Sequence, residues 1–495
     1  MNLKERGRMY IDGKWVEAAS GKTRTIIYPF DQRTIAEVTE GDVEDARAAI
    51  AAARRAFDEG PWREVTGAER GRLVGKLASL IERDREELAR LESLDTAKTF
   101  EESKVDMDDI AGIFRYYAGL ADKDGGEVID SPIPGTVSKA VREPVGVCGQ
   151  ISPWNYPLLQ ASWKMAPALA AGNTIVMKPS EDTPLTTIKV TELAEEAGFP
   201  AGVVNLVLGA GPTVGNELAV HADVDLISFT GGIETGRKIM QAASGNVKKL
   251  AFELGGKNPN IVFADADFDL AVDYALNAVY FHAGQVCSAG ARLLVEESIH
   301  DRLVEAVKQR AARIKLGEAF DPATECGPLI SEQHRAKVEG YAELARQEGA
   351  TCILGGKRPD APELQKGFFY EPTIFVDCTN DMRIVQEEHF GPILTVEKFS
   401  SEQEAIDRAN STTYGLSGAV WTRDQNKAER VAAKLRMGTV WINDFNIYFA
   451  QAPWGGYKQS GIGRELGKQG LEEYTEVKHI YQNIATEALN WFGAS

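Results

Sequence analysis

The fold is decided by residues 145–178, VGVCGQISPWNYPLLQASWKMAPALAAGNTIVMK. A short run, VGVCGQIS, meets a turn marked by Pro153 and Pro157. An apolar segment follows, ending near Ala171, and then a second short run, TIVMK. Short runs bounded by Gly and Pro read as buried strands, and the longer segment between them as a helix. The unit repeats downstream: a helix near Leu185–Ala197, VNLVLG, a helix, LISFT, a helix, and LAFEL. This alternation predicts a parallel, doubly wound α/β sheet, an architecture that binds ligands beyond the carboxyl ends of its strands.

Upstream, short strands are expected around Met9–Val16 and Thr23–Tyr28. Asp42 caps a helix that stops at Gly60-Pro61. Further helix is expected from Ala68 to about Leu94 and over Glu101–Leu120. Residues 125–145, GGEVIDSPIPGTVSKAVREPV, read as an extended hairpin. A second α/β run extends from about Asp265 to Gly463, and the tail YTEVKHIYQ reads as a late strand. The 495 residues exceed what one core holds, since cores stop growing near ~250–300 residues, so two large domains are expected.

A net charge of −18 argues against nucleic-acid partners, which need clustered Lys and Arg. It suits a soluble protein and agrees with a cationic substrate. The five cysteines, Cys148, Cys287, Cys326, Cys352 and Cys378, show no pairing or CxxC pattern. A disulfide framework or zinc site is therefore not expected, and a reducing, cytoplasmic setting is. The start, MNLKERGRMYIDGKW, lacks a signal-peptide core, and no run approaches the ~18 apolar residues of a membrane span.

Three segments could hold a dinucleotide. GAGPTVG, Gly209–Gly215, has the spacing G-x-G-x-x-x-G, one residue off the usual fingerprint, and reads equally as a tight turn. FTGGIETG, Phe229–Gly236, runs from a strand into a helix whose amides could face a pyrophosphate. TIVMKPSE sets Lys178 and Glu181 just past a strand end, where both could bond ribose hydroxyls. For chemistry, Cys287 lies in the small-residue loop FHAGQVCSAG, Glu253 ends LAFEL, and Asn155 sits in the turn SPWNYP. Taken singly, a buried cysteine is usually inert, a lone glutamate usually a cap, and a turn asparagine usually a backbone partner.

Together these segments resemble one family. SPWNYP (152–157), KPSE (178–181), FTGG with Gly236, FELGGKNP (252–259), GQVCSAG (284–290), EEHFGP (387–392) and PWGGYKQSGIGRE (453–465) are similar, in order and along the whole chain, to the aldehyde dehydrogenase superfamily. The resemblance implies an aldehyde dehydrogenase fold in the α/β class. A Rossmann-like NAD-binding domain would comprise 1–124 and 146–254, an α/β catalytic domain 255–463, and a small β oligomerisation element 125–145 and 464–495. It implies a homodimer or homotetramer, NAD as cofactor with NADP possible, and a potassium ion of unknown ligands.

The roles it implies are Cys287 as nucleophile, Glu253 as general base, Asn155 as oxyanion donor, and Lys164 with Glu476 as a proton relay. Cofactor contacts would come from Ile151, Trp154, Lys178, Ser180, Glu181, Gly211, Phe229, Thr230, Gly231, Gly232, Leu254, Gly255, Glu388 and Phe390, with FTGG preferred over GAGPTVG as the pyrophosphate loop. A carboxylate at 253 favours hydrolysis over transfer to coenzyme A, and Glu181 favours NAD over NADP.

The stretches 106–134, 142–160 and 443–461 resemble the betaine aldehyde dehydrogenase branch of Gram-positive bacteria. A trimethylammonium group needs aromatic faces, each worth ~0.5–2 kcal/mol by cation–π attraction. Tyr156, Trp163, Phe281, Tyr448 and Trp454 are the candidates, and Asp106 and Asp109 could make a tunnel mouth acidic, although a solvated helix face explains the pair equally well. Asn446-Ile447 replaces a usual His-Pro, His389 a usual aliphatic and Cys326 a usual methionine. The expected reaction is therefore oxidation of betaine aldehyde to glycine betaine, an osmoprotectant. A broader ω-aminoaldehyde dehydrogenase is the alternative, and a non-catalytic binding or structural protein on the same fold a distant third.

Overall fold

The computed structural model describes residues 7–123, 125–484, 488 and 491–493. The expected domains also include 1–6, 124, 485–487, 489–490 and 494–495, which lie outside the described residues.

The first sheet has eight strands. In spatial order they are Gly461–Ile462, Lys249–Leu254, Leu226–Gly231, Val147–Ile151, Thr174–Lys178, Val204–Leu206, Met9–Ile11 and Lys14–Val16. Its five central strands run parallel, as the alternation of short apolar runs with helices predicts. From Val147–Ile151 the chain first winds one way, to 174–178 and 204–206. It then crosses back to 226–231 and 249–254. A crevice forms where the winding reverses, at the carboxyl ends of the strands. Ile151, Lys178, Gly231 and Leu254 end those strands.

The second sheet has seven strands, in the order Thr351–Leu354, Thr373–Val376, Ile393–Phe399, Arg292–Glu296, Pro259–Val262, Ser417–Trp421 and Thr439–Ile442. All pair in parallel except 351–354. The hairpin Glu127–Ile129 with Thr136–Pro144 forms a third sheet with Thr475–Asn483.

Two departures from the sequence reading concern boundaries. The segment 464–495 is not one unit with the hairpin. Thr475–Asn483 pairs with it, whereas the helix Gly467–Glu472 packs on Pro157–Ala171, and Gly461–Ile462 already belongs to the first sheet. The expected helix from Ala68 to Leu94 is two helices, Gly67–Arg83 and Arg85–Thr96, broken at Asp84. No Gly or Pro marks that break.

The helix Pro157–Ala171 is buried along its whole length. Pro157 starts it, where a missing N–H is harmless, and Gly172 ends it in the left-handed region at φ 100°. It carries Gln160, Trp163 and Lys164 into the middle of the molecule. Among the described residues no helix is long and apolar enough to cross a membrane.

Candidate active site

Cys287 is partly exposed, in a loop whose shape is set by an unusual entry. After the helix Phe268–Tyr280, His282, Ala283 and Gly284 lie consecutively in the left-handed region, at φ 46°, 53° and 72°. Each non-glycine residue there costs roughly 1–2 kcal/mol, so the surroundings must hold the turn. They do: Glu102 Oε1 accepts the His282 N–H at 3.0 Å, and a Cβ on Gly284 would lie 2.2 Å from the Gly391 carbonyl oxygen. Downstream, Asn155 Nδ2 donates to the Gln285 carbonyl at 2.8 Å, and Asn258 Nδ2 donates to those of Cys287 and Ala289 at 2.8 and 3.0 Å. Cys287 is thus clamped from both sides.

Cys287, Glu253 and Asn155 line one cavity of about 210 Å³, together with Leu254, Gly255, Glu388 and Phe390. Glu253 is buried at the end of its strand. Its Oε1 accepts from Trp454 Nε1 at 3.4 Å, and its Oε2 has no hydrogen-bond partner. Burial, then the nearby Glu465 carboxylate, push Glu253 up to about 8, partly offset by the neighbouring Cys287, Lys164 and Trp454. Burial and Glu253 likewise push the Cys287 thiol well above its ordinary value. A sulfur in this setting needs an adjacent base before it can attack.

The expected relay needs one correction. Lys164 Nζ donates to Thr230 Oγ1 at 2.6 Å and pairs with Glu465, not Glu476. Glu476 is exposed in the third sheet, opposite Glu143. From position 476 on, the strand Thr475–Asn483 is exposed on both faces. Glu465 lies inside the quoted stretch PWGGYKQSGIGRE, and its residue type was the available signal. Gln160 was also missed: its Oε1 accepts from Thr230 Oγ1 at 3.1 Å, and it borders the cavities on both sides of Cys287.

A groove of about 570 Å³ continues from this cavity over the crevice of the first sheet. Ile151, Trp154, Lys178, Ser180, Glu181, Gly211, Phe229, Thr230, Gly231 and Gly232 all line it. GAGPTVG and FTGG are therefore not rivals: both border one groove, because the strands feeding them lie in the same sheet. Lys178 Nζ sits 3.3 Å from Glu181. Burial would raise Glu181, but Lys178 outweighs it and holds the carboxylate below its ordinary range. An ionised acceptor at a strand end, with Gly211 and Gly232 leaving open space beside it, suits a dinucleotide carrying a free 2′-hydroxyl. Glu388 Oε1 accepts the Gly256 N–H at 3.0 Å, where a Cβ on Gly255 would collide with its carboxylate at 2.3 Å.

On the opposite side of Cys287 lies a second cavity, of about 520 Å³. Tyr156, Trp163, Phe281, Tyr448 and Trp454 line it. Trp163, Tyr448 and Trp454 stand mutually edge-on, with centroids 5.4, 6.0 and 6.4 Å apart. The Tyr448 hydroxyl donates to Asp109 Oδ2 at 2.8 Å. Asp106 does not sit on a solvated helix face: it is buried and pairs at 2.6 Å with Lys98, which also lies 3.2 Å from Glu92, while both Asp106 and Asp109 border this cavity. Lys98 Nζ in turn lies 4.2 Å from the Tyr156 ring centre. Asn446 accepts from Ser288 Oγ at 2.9 Å, next to Cys287, and stands at φ 62°, a region that asparagine tolerates. His389 is buried, with Nδ1 accepting the Gly391 N–H at 3.2 Å, and does not border these cavities. Among the described residues no three His, Cys, Asp or Glu side chains gather into a metal-binding group, so the potassium expectation gains no ligands.

Residues 15–480 match the model of the Aldehyde dehydrogenase family. Betaine aldehyde dehydrogenase of Bacillus subtilis (strain 168) is 71% identical over 486 residues, covering 98% of this chain and 99% of that protein. Human mitochondrial aldehyde dehydrogenase is 48% identical over 477 residues, covering 96% and 91%. Among solved structures, Staphylococcus aureus betaine aldehyde dehydrogenase in complex with NAD+ superposes with a TM-score of 0.97 at 63% identity, covering 98% of this chain and 96% of that one.

Proposed function

The chain belongs to the aldehyde dehydrogenase family, and from that premise we propose that it oxidises betaine aldehyde to glycine betaine, using NAD and a thioester on Cys287. The observation that carries the reading is that two cavities meet at one sulfur. A groove bordered by Lys178, Glu181 and glycines leads to the Cys287 cavity on one side, and an aromatic cavity reaches Cys287 from the other.

The residues divide the work as follows. The aromatic cavity holds the ammonium group and directs the aldehyde carbon to Cys287. Glu253, which lines the same cavity as Cys287, takes the thiol proton as the sulfur adds. The oxygen that becomes negative is met by the Asn155 amide and the Cys287 N–H, donors of a kind worth ~2.7–4 kcal/mol each. NAD, bound along Lys178, Glu181 and Glu388, supplies the hydride acceptor. Glu253 first passes the thiol proton out past the Lys164–Glu465 pair and, ionised again, draws a proton from the water that hydrolyses the thioester. The ionised Glu181 accepts from a 2′-hydroxyl and repels a 2′-phosphate, which favours NAD over NADP.

The broader ω-aminoaldehyde reading draws on Asp109, whose carboxylate borders the same cavity and could accept N–H donors that a trimethylammonium lacks. Initial rates of NADH formation with betaine aldehyde, 4-aminobutyraldehyde and propanal separate the two. Betaine aldehyde leading supports our reading, 4-aminobutyraldehyde leading supports the alternative, and propanal leading removes the aromatic cavity from the account. Assembly into a dimer or tetramer through the third sheet is part of the proposal. Val128, Val137 and Ile480 are exposed on one face of it, as the strand register requires, and a second copy would cover them. The five free cysteines support a cytoplasmic setting.

A further inference from the structure

We propose that His334, to which no role has been given above, is a positioning residue for the nicotinamide end of the cofactor: it latches the backbone that presents Phe390. The inference rests on the NAD reading. Phe390 stands at φ 61°, in the left-handed region that bulky side chains avoid, so an external contact must hold it there. His334 Nε2 lies 2.7 Å from the Phe390 carbonyl oxygen. A carbonyl only accepts, so Nε2 carries the proton and donates it. Burial pushes the imidazole down to about 4, which keeps it neutral in the working range.

The latch is itself rigid. Ser331 Oγ accepts the His334 N–H at 3.1 Å and caps the helix Glu332–Gln347. The His334 ring packs against Trp154 with centroids 5.1 Å apart, and Phe390 packs against Trp154 at 5.4 Å and 89°. All three rings border the cavity that contains Cys287. Among the contacts that fix the segment 387–392, two act on its cavity-lining residues, Glu388 and Phe390. Gly256 N–H holds the Glu388 carboxylate, and His334 holds the Phe390 carbonyl. Losing the second anchor lets the Phe390 backbone relax out of its left-handed state and withdraws the ring from the cavity wall.

Two full-length variants separate a hydrogen-bonding latch from simple ring packing. His334→Phe keeps an aromatic ring and loses the donor. His334→Gln loses the ring and keeps an N–H that can reach the carbonyl. Calorimetric NAD titration, steady-state kinetics and melting of the NAD-free protein are measured on both. We expect His334→Phe to weaken NAD binding and raise its KM about tenfold, with the KM for aldehyde and the melting midpoint little changed, and His334→Gln to stay within about threefold of wild type. The reverse order, or two variants indistinguishable from each other or from wild type, overturns the latch. If the wild type itself takes up no NAD, the functional reading fails and the latch with it.

Discussion

Trp454 joins the substrate side of the site to its base: its indole Nε1 donates to Glu253 Oε1 at 3.4 Å, while its ring stands in the aromatic cavity beside Trp163 and Tyr448. It is the one donor that reaches the Glu253 carboxylate from the aromatic cluster. Trp454→Phe keeps an aromatic face and removes that donor. We expect the KM for betaine aldehyde to change little and kcat to fall about tenfold, near the ~1–1.5 kcal/mol of a single net hydrogen bond. Steady-state kinetics check this; a rise in KM alone would assign Trp454 to binding only.

Glu253 governs both pH behaviour and stability. As a base it must be ionised, so kcat/KM should rise with pH and inflect near about 8. Its folded pKa is raised above the unfolded value of about 4.3. Its contribution to stability is therefore complete below the unfolded pKa and is lost as pH rises towards about 8. Glu253→Gln should accordingly abolish turnover while raising the melting temperature relative to wild type more at pH 9 than at pH 4. Equal shifts at both pH values would show that Glu253 is not held protonated by its surroundings.

Glu465 and Glu476 make opposite predictions. Glu465→Gln removes the buried partner of Lys164 and leaves a cation uncompensated, which commonly destabilises by about 3–5 kcal/mol. It should slow thioester hydrolysis and lower the melting temperature. Glu476→Gln, on an exposed strand position, should leave both within experimental error. Burst kinetics and calorimetry on the pair test this, and a defect in Glu476→Gln alone would restore the sequence-based assignment.

Glu181 sets the cofactor preference through charge. Glu181→Ser should narrow the NAD-to-NADP ratio of kcat/KM by about tenfold or more, chiefly by improving NADP, since it removes a repulsion and one hydroxyl contact. An unchanged ratio would remove Glu181 from the ribose site.

Much of this was legible in the sequence because the relevant signals are local. The apolar runs 147–151, 174–178 and 226–231 lie between turns and helices and became parallel strands. Asp42 forms the expected cap, and Asp45 completes a capping box with it. Ile151, Lys178, Gly231 and Leu254 gathered because they end strands of the first sheet, and Trp163 because it sits on the buried helix Pro157–Ala171. What escaped depends on distant contacts. Asp106 and Asp109 share the spacing of a solvated helix face, yet Lys98 neutralises the first inside the core and Tyr448 bonds the second. Choosing Glu465 over Glu476 required knowing that the third sheet leaves position 476 exposed. His334 gave no signal at all, because its partner is a backbone carbonyl in a segment more than fifty residues away.

The central claim is a thioester on Cys287 that Glu253 resolves. The direct measurement is peptide mass spectrometry of wild type and Glu465→Gln, quenched in acid within the first turnovers after mixing with NAD and betaine aldehyde, because both keep Glu253 to activate the thiol. We predict an acyl adduct on the peptide containing Cys287, formed only when NAD is present and absent from Cys287→Ala. No adduct, an adduct on another residue, or full NADH formation by Cys287→Ala would contradict the account.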